Sequence, residues 1–486
     1  MCSIIGYYGL EIAAPVIVKG LKRMEYRGYD SVGVATEANN HIELKKGVGK
    51  VAEVNSMVHL DSLPGRMGIG HTRWATHGKV TDKNAHPHSS SSGKIAIVHN
   101  GIIENYQELK KELEKEGYTF KSETDSEVIA NLLQKNYDVT GDVKNTMMRT
   151  ISELKGHYAF VAMFDNGQLS AARFHEPLIV GVGLSNFFFS SDVLGFIEYT
   201  DDAIYIENGN FAIMSKNEFK ILDFNGEAVK YQITKVSKEF ADSYKGEYAH
   251  FTLKEIYEQN ETILKAGERS EDGIIKAADF IKHAKNVYIT GSGTSYNSAL
   301  IAKHIFSKYA KIKVETIMSS ELQFSPDIIE PNSILIAISQ SGESADVLEA
   351  VNTAKNVKCK IISIVNLLTS SLVRESDIAI GMNCGPEIGV AATKSFTSQL
   401  AILFKIIEKL SNNMVKVDFE EMSRSISKML EARNKIKKIA NELKEISDIY
   451  VLGRGIHYPI AIEAALKLKE LTYIHAEGIP GGELKH

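Results

Sequence analysis

The rhythm of hydrophobic and polar positions changes about halfway along this 486-residue chain. In residues 1–235 short apolar or alternating runs dominate, at 3–9, 31–35, 94–99, 158–164, 178–183 and 187–191. Alternation sends successive side chains to opposite faces of a strand, so these runs predict a β-rich region. Apolar residues recur every three or four positions at 13–24, 106–115 and 126–135, which predicts helices there. The stretch 237–247 is polar, charged and glycine-containing, and reads as a connector. Beyond it, near-continuous apolar runs at 286–290, 333–339, 360–365 and 449–452 alternate with helical patterns such as 346–355 and 399–410. Runs that are apolar on both faces suit parallel strands covered on each side by helices. The second half therefore predicts a doubly wound parallel α/β domain. Gly291 to Thr294 and Gly453 to Gly455 each close a strand and open a helix, which points to a duplicated α/β unit.

Composition narrows the class. The chain is 44% hydrophobic and 24% charged with 9 prolines, as a soluble globular protein of two or three domains would be. A net charge of −5 opposes general nucleic-acid binding. The 3 cysteines, Cys2, Cys359 and Cys384, make no disulfide framework and suit a reducing compartment. No apolar run reaches the roughly 18 residues of a membrane helix, and the N-terminus lacks a signal-peptide pattern. The cytoplasm is the expected location, with no membrane partner.

The candidate chemistry begins at Cys2. Removal of Met1 would put a thiol and a free α-amine on one residue. An ordinary cysteine, with a pKa of about 8.5, is mostly thiol at neutral pH, and an α-amine titrating at roughly 7.7 to 8 can act as its base. Three polar segments accompany it. His71-Thr72-Arg73-Trp74-Ala75-Thr76-His77-Gly78 holds an arginine fork suited to a carboxylate. His99-Asn100-Gly101 follows an apolar strand and offers an amide and a glycine N–H to an oxyanion. In Thr124-Asp125-Ser126-Glu127, Asp125 suits a substrate ammonium or, more plainly, a helix N-cap. The histidines 71, 77, 86, 88 and 99 lack the spacing of a zinc site, and no metal is expected.

In the second half, Gly291-Ser292-Gly293-Thr294-Ser295-Tyr296 and Ser339-Gln340-Ser341-Gly342-Glu343-Ser344 each join a strand to a helix. Hydroxyls and main-chain N–H groups at helix N-termini make an anion site at the carboxyl ends of such strands. Neither loop is a P-loop or a dinucleotide fingerprint. A neutral, hydroxyl-rich cradle suits a monophosphate, and no cofactor is expected.

These segments carry a resemblance. From Cys2 to about residue 235 the chain resembles class II glutamine amidotransferase domains, which are N-terminal-nucleophile hydrolases of αββα fold. That implies Cys2 as nucleophile, Asn100 and Gly101 as oxyanion hole, and Arg73, Thr76, His77 and Asp125 as glutamine ligands. It also implies that Arg27 orders the nucleophile and that Trp74 gates ammonia. Ser3 stands where that family usually has glycine, a departure whose side chain could crowd the thiol. The second half resembles sugar isomerase (SIS) domains. The segments 253–259, 387–394 and 463–470 extend the resemblance to the glutamine–fructose-6-phosphate aminotransferase family along nearly the whole chain. The implied organisation is a glutaminase domain at 1–236, a linker at 237–250, a first SIS subdomain at 251–425 and an incomplete second one at 426–486.

The implied activity converts fructose 6-phosphate and glutamine to glucosamine 6-phosphate and glutamate. The sugar phosphate would lie on Thr294, Ser295, Ser339, Gln340, Ser341 and Ser344, near Val390. Moving a proton from C1 to C2 of the imine needs one positioned base, for which Glu470 is the candidate, aided by Lys467 one turn earlier. His486 matches the residue that opens the sugar ring, and the family implies a homodimer through the isomerase half. Family members continue beyond His486, so a truncated form acting mainly as a glutaminase is one alternative. Another is a paralogue that acts on a different sugar phosphate. A phosphoribosyl or asparagine-forming amidotransferase would need a pyrophosphate or ATP motif that is absent here. A non-catalytic sugar-phosphate sensor would leave Cys2, Arg73 and Asn100 without a purpose.

Overall fold

A computed structural model of the chain describes residues 2–74, 78–215, 219–236, 248–411 and 414–486. It divides into two units, Met1–Asp242 and Ser243–His486. Among the described residues no helix is long and apolar enough to cross a membrane.

The first unit carries β1 (Ser3–Tyr8), β2 (Ser31–Ala38), β3 (His41–Val48), β4 (Met67–Arg73), β5 (His88–Ser89), β6 (Ile95–Ile103) and β7 (Gly156–Phe164). It continues with β8 (Gln168–Phe174), β9 (Ile179–Val182), β10 (Phe187–Ser190), β11 (Asp202–Tyr205), β12 (Asn210–Met214), β13 (Phe219–Asp223) and β14 (Thr234–Lys235). Its helices are α1 (Ala13–Met24), α2 (Val51–Val58), α3 (Tyr106–Lys115), α4 (Glu127–Thr140) and α5 (Val143–Glu153). The strands form an eight-stranded sheet in the order β14-β11-β9-β10-β1-β4-β2-β3 and a six-stranded sheet in the order β13-β12-β8-β7-β6-β5.

The predicted alternation assigns each face. Ile4 of β1 and Ala96 and Val98 of β6 share one buried cluster between the sheets. Ile5 and Tyr7 turn the other way, onto α1, while Ile95 and Ile97 turn onto α3, α4 and α5. The result is four layers, helix–sheet–sheet–helix, with three apolar interlayers. Each fully buried large side chain in them contributes about 1.5–3 kcal/mol. α1 meets the sheet along a stripe through Ala13, Val16, Ile17, Gly20, Leu21 and Met24, the spacing its sequence shows.

The second unit carries α6 (Phe251–Lys265), α7 (Glu271–His283), β15 (Val287–Gly291), α8 (Thr294–Ile305), β16 (Val314–Met318), α9 (Ser319–Leu322), β17 (Ile334–Ser339) and α10 (Ala345–Asn356). Next come β18 (Lys360–Val365), α11 (Ser371–Arg374), β19 (Ile378–Gly381), α12 (Lys394–Leu410), α13 (Phe419–Glu431), α14 (Arg433–Leu443), β20 (Asp448–Gly453), α15 (His457–Thr472) and β21 (His475–Pro480). Five parallel strands run in the order β16-β15-β17-β18-β19. Ile334, Ile336 and Ile338 of β17 face α7, α8 and α12, and Leu335 and Ala337 face α10. Helices thus cover both faces, as the unbroken apolar runs predict. β20, α15 and β21 form a parallel pair with its crossover helix. The expected subdomain boundary at 425 falls inside α13, whereas 237–247 lies outside the described residues.

Candidate functional site

Cys2 immediately precedes β1, at the middle of the larger sheet. Its Sγ accepts a hydrogen bond from the Trp74 N–H at 3.2 Å. Its carbonyl oxygen accepts two, from Arg27 Nε and from Asn100 Nδ2, each at 3.2 Å. Burial pushes the thiol pKa up, and the Trp74 N–H with the nearby Arg73 and Arg27 charges pulls it part of the way back. Arg27 is in turn held by Asp192, 3.4 Å from Nη1, and Tyr26 donates to the same carboxylate at 2.6 Å.

Cys2, Arg27, Arg73, Trp74, Asn100, Gly101 and Asp125 line one cavity of about 250 Å³. Sequence reasoning singled out all seven. Arg73, at the end of β4, donates to the carbonyls of Gly78 and Lys79, and Cys2 and Asp125 are among the groups that act on its charge. Asp125 does not cap α4, whose N-cap is Ser126. Its Oδ2 accepts the N–H of Ile103 at 2.8 Å, which ties the end of β6 to the start of α4. Gly101 has φ +107°, and a Cβ there would lie 2.0 Å from the His157 carbonyl oxygen. Trp74 packs edge-on against Tyr29, with ring centroids 5.3 Å apart. Thr76 and His77 lie outside the described residues.

Ser3 points away from the thiol. Its hydroxyl donates to the Met24 carbonyl at 2.8 Å and is fully buried. It turns toward α1, so it does not crowd the thiol. The strand's two-residue period sends neighbouring side chains to opposite faces.

Four histidines cluster at the cavity, with His86 and His99 in its lining. His71 and His86 stack at 4.2 Å, and His88 meets His86 edge-on at 4.5 Å. Each gives a ring nitrogen to a hydrogen bond: His71 with the His99 carbonyl, His86 with the His99 N–H, His88 with Thr124 and His99 with Ser126. Burial lowers the pKa of all four. They form a neutral, hydrogen-bonded floor, and no group suited to hold a metal ion occurs among the described residues. Glu176, His86 and His99 line the cavity without having been singled out for it.

In the second unit β15 and β17 are parallel neighbours, so the loops after them share one edge of the sheet. Thr294 opens α8. Its hydroxyl donates to Glu463 Oε1 at 3.0 Å and accepts from Lys467 Nζ at 2.9 Å. Asn297 donates to the other oxygen of Glu463 at 2.7 Å. Lys467 also lies 3.4 Å from Glu463 and 2.5 Å from Glu470. Glu470 Oε2 makes no hydrogen bond in this pair. Ser295 accepts from Gln399 at 3.2 Å. After β17, Ser339 accepts the Gly342 N–H at 3.0 Å and meets Ser344 at 3.2 Å, and Ser341 accepts the Glu343 N–H at 3.2 Å. Gln340 receives the Asn366 N–H on its carbonyl. Neither α8 nor α10 has a side-chain cap, which leaves first-turn N–H groups for a ligand.

Thr294, Glu463, Lys467 and Glu470 therefore form one cluster, with Ser295 bonded to Gln399 beside it, and Ser339, Ser341 and Ser344 form a second at the neighbouring strand end. Val390 is 58% exposed, and the exposed His486 donates a main-chain hydrogen bond to Glu483. Glu463 is buried, and burial raises its pKa against the pull of Asn297, Lys467 and Thr294. Its four-residue spacing from Lys467 looks like a surface ion pair in sequence, and only the docking of α15 on α8 buries it.

The loop 387–394 is held from α6. Glu255, 2% exposed, accepts the N–H groups of Ile388 and Gly389. The buried Lys394 pairs with Glu258 at 2.6 Å.

Known proteins resemble the chain in sequence along its whole length. A glutamine amidotransferase domain profile matches residues 71–197, and an SIS domain profile matches 280–407 and 442–486. A glutamine–fructose-6-phosphate aminotransferase (isomerizing) from Pyrococcus horikoshii is 44% identical over 100% of this chain and 83% of its own length. The Aquifex aeolicus protein of that name is 41% identical over 100% and 82%. The solved C-terminal domain of glucosamine-fructose-6-phosphate aminotransferase from Francisella tularensis aligns with 50% of this chain and 73% of its own at 39% identity, with a TM-score of 0.46. By class, the chain joins a glutamine amidotransferase domain to an SIS domain. It belongs to the glutamine–fructose-6-phosphate aminotransferase (isomerizing) family.

Proposed function

We infer that this chain converts fructose 6-phosphate to glucosamine 6-phosphate with ammonia taken from glutamine. One observation carries the reading: Cys2, Arg73, Asn100 and Asp125 converge on a single cavity. Arg73 takes the α-carboxylate of glutamine, with Thr76 and His77, and Asp125 takes its α-ammonium. The Cys2 thiol, deprotonated by its own α-amine once Met1 is removed, attacks the side-chain amide carbon. The oxyanion meets the Asn100 amide and the Gly101 N–H. Ammonia leaves, and water hydrolyses the thioester to glutamate. Arg27 holds the nucleophile's carbonyl, and Trp74 gates the ammonia.

In the isomerase half the phosphate lies on Thr294, Ser295, Ser339, Gln340, Ser341 and Ser344, against the open N-termini of two helices. Val390 lies beside the sugar, and His486 opens its ring. Ammonia adds to the C2 ketone and water leaves. Glu470 removes the C1 proton and C2 gains one, with Lys467 balancing its charge. The glutaminase domain is 1–236 and the isomerase half begins at 251, joined at 237–250. The chain works in the cytoplasm on small molecules, as a homodimer through the isomerase half, and analytical ultracentrifugation reads that state.

Incubation with both substrates should yield glutamate and glucosamine 6-phosphate by mass spectrometry. Cys2→Ala should lower glutamate release on the order of 10³-fold or more. Undiminished release by that variant would sink the assignment.

A further inference from the structure

The side-chain amide of Asn100 has one end that donates and one that accepts, and only one orientation points a donor at the nucleophile. Two contacts fix which: the Cys2 carbonyl oxygen, which accepts from Nδ2, and His71, which meets Oδ1. His71 Nε2 lies 3.0 Å from the His99 carbonyl oxygen and 3.0 Å from Asn100 Oδ1. A main-chain carbonyl only accepts, so Nε2 carries the proton. The atom of Asn100 facing that N–H must then be its oxygen, which turns Nδ2 toward Cys2, 3.2 Å from its carbonyl oxygen. The orientation therefore follows from the direction of the chain's own backbone. The His71 ring stacks on His86 at an interplanar angle of 16°, and its buried Nδ1 has no hydrogen-bond partner among the described residues. Burial brings its pKa down to about 3, so the ring stays neutral at working pH.

We propose that His71 is a positioning residue for the glutaminase step, its Nε2–H holding the Asn100 amide so that Nδ2 faces the oxyanion formed at Cys2. This rests on the oxyanion role given to Asn100 above. His71→Phe keeps a ring against His86 and removes the donor, whereas His71→Gln keeps a donor. Glutamate release is measured for both, for Asn100→Ala, and for the double variant His71→Phe/Asn100→Ala. Removing one oxyanion donor lowers kcat by about 10²–10³-fold, and Asn100→Ala and His71→Phe should each fall in that range. The KM for glutamine should stay within about threefold of wild type. The double variant should be no slower than Asn100→Ala, because residues acting through one another are not additive. His71→Gln should recover to within about tenfold of wild type. A wild-type kcat in His71→Phe, or multiplied losses in the double variant, overturns the positioning role and leaves the oxyanion reading intact. A wild-type kcat in Asn100→Ala overturns that reading and His71's role with it. Thermal unfolding monitors the fold, and His71→Leu makes the same comparison if the phenylalanine variant does not fold.

Discussion

Gly101 is the residue whose identity the backbone dictates most strictly. At φ +107° a side chain is strained, and a Cβ would strike the His157 carbonyl oxygen on the neighbouring strand. Gly101→Ala should destabilise the first unit by about 1–3 kcal/mol, read as a lower thermal midpoint. It should abolish glutamate release even where the protein remains folded, because β6 and β7 must part beside the cavity. Unchanged activity in a folded variant would contradict this. At the residue scale the first site was largely legible. Arg73, Asn100 and Asp125 are polar groups placed beyond the needs of packing, and each lines the cavity. Glu463 was not legible, because its burial depends on another helix. Nor was the orientation of Ser3, which a hydrogen bond to the end of α1 decides.

Among the elements, β4 shows where pattern fails. Met67–Arg73 is buried throughout, yet its sequence alternates through glycines and then turns polar. It becomes a strand because β1 and β2 pair with it on either side. The glycines admit α1: a Cβ at Gly70 would lie 2.4 Å from Ile17 Cγ2. By contrast, α1 and α3 span the same residues that their apolar periodicity predicts. The histidine floor built by β4, β5 and β6 has a consequence for acid stability. Each imidazole is neutral when folded and gains a proton on unfolding below about pH 6.5. The unfolded state thus binds more protons, so stability falls as pH drops from about 6.5 toward the folded value of about 3 for His71. The slope is up to about 1.4 kcal/mol per pH unit for each histidine. Trp74 is the single tryptophan and lies in this unit, so its fluorescence in urea should give a lower midpoint at pH 5 than at pH 7. Equal midpoints would refute the neutral floor.

For the whole molecule, β15, β17 and β18 were legible because strands buried on both faces read as unbroken apolar runs, whereas the same kind of run at 449–452 forms β20, whose Tyr450 and Leu452 are exposed. What joins the motifs of the parallel half was not legible. The segments 253–259 and 387–394 are far apart in sequence, and Glu255 and Glu258 connect them only after folding. Glu255→Ala would leave buried N–H groups unpaired, at about 1–3 kcal/mol, and loosen the loop that carries Val390. It should raise the KM for fructose 6-phosphate several-fold while glutamate release from glutamine alone is unchanged. An unaltered KM would detach that loop from the sugar. The same tie governs how the protein can be dissected. The SIS profile begins at residue 280, inside α7, but a fragment started there would discard α6. Lys394 would then be buried without its counter-charge, and the Ile388 and Gly389 amides would have no acceptor. An isomerase fragment intended for crystals or ligand screening should therefore start before Phe251.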